Sequence, residues 1–274
     1  MQCDPAFARR LLAGGEAALM AEGLVGRPAE FLLAADPGRL VADPGDRRRR
    51  QTLSNLSAEF EIAARVLAEG PAGPAVPAEF FSSPEFHDAV RDDGLLPTAF
   101  GAYLARRARE TSDFLAAAVR TLEAALAAAR RRPCEPRVRT AGVGAAGDAL
   151  AQARGARLSP GARLVVLPQG TLDAYDAAKA AAGDGGAPLR THFAGISPAA
   201  GAETALVLGL PRASEFRPAA VRAERLEPAV AALLRAASDG LDPEAFARAH
   251  DLAAEDVAEF VAELVAEGVL APRA

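Results

Sequence analysis

Tryptophan is absent, tyrosine occurs only at Tyr103 and Tyr175, and aromatic residues make up 5% of the chain. A core must therefore come from leucine, valine, alanine and the twelve phenylalanines, and alanine buries little area per residue. The two cysteines, Cys3 and Cys134, are too few and too far apart for a disulfide framework or a zinc site. The three histidines, His87, His192 and His250, never pair at i+3 or i+4, so no helix-borne metal site is encoded and no metal ligands are assigned. Lysine occurs once, at Lys179, and nearly all positive charge is arginine. With the Ala, Gly and Pro content, that pattern reads as coding bias rather than function. No apolar run approaches the roughly twenty residues of a membrane span. The opening MQCDPAFARR lacks the apolar stretch of a secretion signal. A reducing cytoplasm is the expected location, with no membrane partner.

What is present is a chain of 274 residues, half of them apolar, with a net charge of −5. That length suits one large or two ordinary domains. The modest negative charge points to neither nucleic acid nor an anionic membrane as partner.

Two regions differ in pattern. Residues 1–136 read as an α-helical domain. Helical spacing is predicted from Pro5 to about Glu22, with a short segment over Glu30–Ala35 and then turns at Asp36-Pro37-Gly38 and Asp43-Pro44-Gly45. A helix follows from Arg47 to Glu69, with Leu53, Leu56, Phe60 and Val66 inward. GPAGPAVPAE (70–79) reads as a connector. Pro84–Val90 is a short helix capped by the preceding serines, and a long helix over Thr98–Arg131 breaks near Thr111. Pro133 and Pro136 end it.

Residues 137–274 are predicted as an α/β domain. Alternation and β-branching mark strands at Arg137–Thr140, Arg163–Leu167, Thr204–Leu208 and Ala219–Glu224, with an alanine-rich helix over Thr171–Ala182. Gly183–Pro188 and Gly195–Gly201 are loops. Three helices close the chain, the first stopped by Asp239-Gly240 and the second started by Asp242-Pro243-Glu244. The fold class is α+β: a helical front, then a winged-helix-like module of about three strands and three closing helices.

Catalytic signals are poor, and no catalytic residue is assigned. G-x-S-x-G is missing, and neither cysteine has a nucleophile's context. His87 and His250 read as solvated helix-end residues and His192 as structural. Gly142, Gly144 and Gly147 match G-x-G-x-x-G, but RVRTA is a weak strand and no acid lies about twenty residues on, so a nucleotide site is a minor alternative. Arg47–Arg50 opens a helix where basic charge opposes the macrodipole; it reads as a solvated face or a contact for an acidic partner.

The positive signal lies at the end. Residues 226–274 hold ten Asp/Glu and three Arg, a net of −7, and no Lys or Arg lies between Arg248 and Arg273. A DNA-reading helix neutralises phosphates, so a winged-helix DNA-binding regulator is the weaker alternative. A strand edge beside a helix can instead take an extended peptide. The candidate contacts are Val221, Arg222, Ala223 and Glu224 on the last strand and Val257, Phe260, Val261 and Leu264 on the last helix. For any one of these helix residues a place in the module's own core is the favoured reading, because a domain of this size needs most of its apolar helical face for itself.

LEPAVAALLRAASDGLDPEAFARAHDLAAEDVAEFVAELVAEGVL (226–270) is similar to the helical half of the peptide-recognition domain of ribosomally made natural-product pathways. The stand-alone chaperone of pyrroloquinoline-quinone biosynthesis shows the same pattern. In that family three strands precede three helices, and a precursor's leader pairs with the third strand against the third helix. With ARLSPGARLVVLPQGTLDAYDAAKAA (156–181) and the Ala/Arg-rich helical front, the chain resembles partner subunits of multinuclear non-haem iron-dependent oxidases. The resemblance implies a non-catalytic protein in a heterodimer. It would bind the leader of a ribosomal precursor peptide and present the core to the oxidase. No cofactor is expected in this chain, and iron is expected in the partner enzyme. The specific part covers about residues 160–270. Unlike the family's compact sheet, a helix and loops over 172–202 separate the first of these strands from the other two.

Overall fold

The computed structural model describes residues 5–23, 25–34, 44–132, 150, 153–183, 188–210 and 220–272. It mixes helix and sheet, an α+β composition. Contacts divide the chain into two compact units, Met1–Arg120 and Thr121–Ala274. The expected boundary after residue 136 lies outside the described residues.

Unit 1 is helical: α1 (Pro5–Ala21), α2 (Arg27–Ala34), α3 (Pro44–Glu59), α4 (Glu61–Ala68), α5 (Val76–Glu79), a 3-10 turn (Phe80–Ser82), α6 (Pro84–Arg91) and α7 (Leu96–Glu110). α8 (Phe114–Arg131) begins here. The helix expected over Arg47–Glu69 is two helices that meet at Phe60, whose φ/ψ of −128/44 is not helical. Phe60 is buried and trades helical geometry for packing against Phe100 at 5.9 Å between ring centroids. The Pro/Gly connector contains α5. The break near Thr111 is a real turn: Thr111 Oγ1 donates to the Arg107 carbonyl, and Asp113 accepts from the Ala116 N–H to start α8. Ser83 caps α6 by accepting from the Phe86 N–H at 3.2 Å.

The few aromatic residues are concentrated in this unit. Phe80 lies at ring-centroid distances of 5.0, 5.4, 5.6 and 5.7 Å from Phe100, Phe86, Tyr103 and Phe81. The Tyr103 hydroxyl donates to the Val76 carbonyl at 2.7 Å, so its one polar atom is satisfied in the core.

Unit 2 has the expected order. β1 (Arg157–Leu158) pairs antiparallel with β5 (Leu270–Ala271), tying the two ends of the module. A three-stranded antiparallel sheet has β2 (Ala162–Pro168) beside β3 (Ala202–Gly209) beside β4 (Val221–Arg225). Between β2 and β3 come α9 (Thr171–Ala181) and a 3-10 helix (Leu189–Phe193) that lies between the two segments read as loops. α10 (Pro228–Asp239), α11 (Pro243–His250) and α12 (Ala254–Ala266) follow β4. The strand expected at Arg137–Thr140 lies outside the described residues, as does Ala219. Gly240 (φ 105) ends α10 in a backbone region that side chains resist. The Asp242 carboxylate then accepts from the Glu244 and Ala245 N–H groups to start α11.

Side-chain parity divides the sheet's two faces. Leu206 and Leu208 of β3 join a buried cluster with Leu233, Val257, Val261 and Leu264, so the even residues of β3 face α10–α12. Glu203, Ala205 and Val207 are buried on the opposite face. Glu203 there accepts from the Leu172 N–H at 2.9 Å, which places the start of α9 on that second face. The inserted helix thus lets β3 be buried on both sides, and seven of its eight residues are.

Candidate functional site

Backbone register decides which sheet edge is open. In an antiparallel pair, successive residues alternate between bonding inward and pointing outward. The Leu226 N–H donates to the Thr204 carbonyl and the Leu210 N–H to the Ala220 carbonyl, so the even residues of β4 bond to β3. Val221, Ala223 and Arg225 therefore turn their N–H and C=O groups away from β3. Among the described residues, no backbone or side chain hydrogen-bonds these outward groups.

The opposite edge, on β2, is interrupted at both ends. Its outward residues are even, since Gly209 N–H bonds Gly161 and Gln169 N–H bonds Gly201. Ala162 spends its N–H on the Ser159 carbonyl, and Pro168 has none. The Pro168 carbonyl already accepts from Thr171 Oγ1 at 2.6 Å. Only Leu164 and Val166 keep outward N–H groups. β4 is the longer receptive edge.

The four expected strand residues are together on β4 but split between faces. Arg222 and Glu224 stand opposite Leu208 and Leu206, on the face that carries α10–α12, and pair with each other at 3.0 Å. Val221 and Ala223 stand opposite Gly209 and Val207, on the α9 face, and are half-buried. A guest strand on β4 would therefore meet Arg222 and Glu224 on the helical side, and Val221, Ala223 and then Arg225 on the other.

On α12, Val257, Val261 and Leu264 are buried in the module's own core with Leu206 and Leu208. Phe260 differs: it is 37% exposed and lines a pocket with residues of α10 and α11. Of the four expected helix residues, Phe260 alone presents a large apolar surface outward.

An ion network that the sequence reasoning missed holds β4. Arg225 donates through Nε to Glu203 at 2.8 Å and through Nη2 to Asp173 of α9 at 2.8 Å. These two hydrogen bonds, Asp173's first, hold the Arg225 guanidinium above its ordinary pKa. Arg235 of α10 donates to Thr204 Oγ1 at 2.7 Å, fixing the helices to the other face of β3. A lone carboxylate inside the apolar run AETALVLG was the available signal, because a buried Glu needs a partner. Leu252 and Phe246 beside Phe260 were likewise missed: the first sits in a turn and the second on a short helix.

Other candidates stay dispersed. No group of three or more His, Cys, Asp or Glu among the described residues could hold a metal ion. His192 lies on the 3-10 helix, with Nε2 buried and without a hydrogen-bond partner among the described residues. His250 stacks on Phe246 at 4.2 Å, and His87 lies edge-on to Phe86 at 5.6 Å. Arg47–Arg50 fall in α3, where Arg48 and Arg49 have partners. Gly142, Gly144, Gly147, Cys3 and Cys134 lie outside the described residues. No described helix is long and apolar enough to cross a membrane. Comparison with protein-family models, with curated proteins and with solved structures finds no match to this chain.

Proposed function

We propose that this chain is a non-catalytic, cytoplasmic partner protein that binds the leader of a ribosomally made precursor peptide and presents its core to a multinuclear non-haem iron oxidase. The observation that carries the reading is the open edge of β4. Val221, Ala223 and Arg225 aim outward backbone groups that are unpaired among the described residues, on a strand followed directly by three helices. The sheet-then-helices order supports a winged-helix-like peptide-recognition module, with α9 inserted after its first strand. The leader adds a strand to β4 and leans toward the outer surface of α12. Ordering a flexible leader offsets part of the contact energy, so micromolar affinity, about −8 kcal/mol, is the expected strength.

The acidic α12, with Glu255, Asp256, Glu259 and Glu263, disfavours the DNA-binding alternative. The test is calorimetric titration of the chain with the leader of a precursor encoded beside it. Val221→Pro removes one outward N–H and should abolish the heat of binding while the thermal midpoint holds. An unchanged titration would remove β4 from the proposal. Co-purification with an iron oxidase, and no turnover by this chain alone, are the companion results expected.

A further inference from the structure

The three closing helices make a second feature that no residue of β4 lines. Val230 and Leu233 of α10, Phe246 of α11, Leu252, and Asp256 and Phe260 of α12 surround a pocket of about 210 Å³. Small-molecule sites run from roughly 300 to 1,000 Å³, so this volume suits one large side chain rather than a free metabolite. Its rim is apolar and open to solvent: Leu252 is 50% exposed and Phe260 37%. Exposed large apolar side chains grouped around a depression mark an interaction site more than scattered ones do.

The charge on its α12 side has one sign. Asp256 lines the pocket, Glu255, Glu259 and Glu263 are exposed on the same helix, and no Lys or Arg lies between Arg248 and Arg273. A second copy of this chain would bring two such acidic surfaces together, which like-charge repulsion opposes. A cationic segment is attracted instead.

We propose that this pocket anchors one large apolar side chain of a partner segment whose flanking residues are lysine or arginine. It is a protein-docking site on the helical face, and it goes beyond leader binding at β4. The side chain fills the space between Phe246, Leu252 and Phe260, while flanking cations lie over Asp256 and Glu259. Apolar burial supplies the anchor. The acidic rim supplies partner choice and faster encounter.

The test uses fluorescence anisotropy with a labelled peptide of about a dozen lysines and alanines around one central phenylalanine. Saturable binding is expected, weakening about tenfold between roughly 50 and 200 mM salt. Replacing the central phenylalanine with serine, or the lysines with glutamates, should each weaken it about tenfold or more. Leu252→Gln and Phe260→Gln alter exposed positions, so the thermal midpoint should hold while binding drops by a similar factor. Val221→Pro should leave this binding intact, which separates it from the strand-edge reading. The proposal is overturned by absence of saturable binding, by equal affinity for the glutamate peptide, by wild-type affinity in both pocket variants, or by loss of binding in Val221→Pro. Self-association of the chain that Phe260→Gln abolishes would assign the pocket to a second copy and overturn it too.

Discussion

Glu203 and Arg225 meet diagonally across the β3–β4 pair, with Arg225 Nε 2.8 Å from Glu203 Oε2. The carboxylate is 3% exposed and the guanidinium 48%, so the two ends of the bond differ in how they tolerate loss of the other. Arg225→Ala strands a buried charge whose described contact is then the Leu172 N–H, and is expected to cost about 2 kcal/mol. Glu203→Gln keeps an acceptor for Leu172 and leaves Arg225 its contact with Asp173, for about 1 kcal/mol. The double variant should be no less stable than Arg225→Ala alone, because neutral glutamine needs no cation. Urea unfolding of all four proteins measures the coupling; simple additivity would mean that the pair is not a unit.

The β4 register makes a prediction about proline. At Ala223 the N–H points outward, and Ala223→Pro should cost no more than about 1 kcal/mol. At Arg222 the N–H bonds inward to Leu208, and Arg222→Pro should cost about 3 kcal/mol. Thermal unfolding of the two neighbouring variants decides; equal losses would overturn the assignment of the outward edge.

Unit 1 depends on one close approach. A methyl added at Gly101 would lie 2.8 Å from Phe60 Cζ, and Arg120 already donates to the Gly101 carbonyl at 2.8 Å. Phe60 is buried, and its ring meets Phe100 edge-on. Gly101→Ala is expected to destabilise by about 1–3 kcal/mol, seen as a lower urea midpoint, despite its better helix propensity. A stabilised variant would show that the ring can move.

Burial pushes the Tyr103 hydroxyl up to about 12, with the Glu79 carboxylate adding to the shift. A raised folded pKa means that stability is intact below the unfolded value of about 10 and declines as the unfolded chain ionises first. The Tyr103 hydroxyl alone should therefore cost wild type about 2 kcal/mol between pH ~10 and ~12. Tyr103→Phe should start about 1 kcal/mol less stable, having lost the bond to Val76, and then show a shallower alkaline slope. Urea midpoints across that range provide the check.

Much of this architecture was readable from pattern alone. Residues 163–167 and 204–208 announced β2 and β3, Asp239-Gly240 and Asp242-Pro243 bounded α10 and α11, and Thr111 marked the helix break. Local rules sufficed there, because alternation, capping and glycine geometry act over a few residues. What escaped was set by long-range packing. Phe60 leaves helical geometry to fill an aromatic cluster built largely from residues 80–103, and Glu203 is explained only by Leu172 and Arg225. Within the candidate site, the order of strand and helices was legible. The inward burial of Val257, Val261 and Leu264, the outward turn of Phe260, and which face of the sheet Val221 and Arg222 each take required three dimensions.

The obstructed border along β2 has a consequence for assembly. With Pro168 and the Ser159 turn leaving only Leu164 and Val166 open on one side, the sheet has, among the described residues, a single long receptive flank. Two copies meeting through that flank would consume both receptive borders at once and form a closed pair. Stepwise stacking into fibres needs a donor side and an acceptor side on every copy, and here the first addition is also the last.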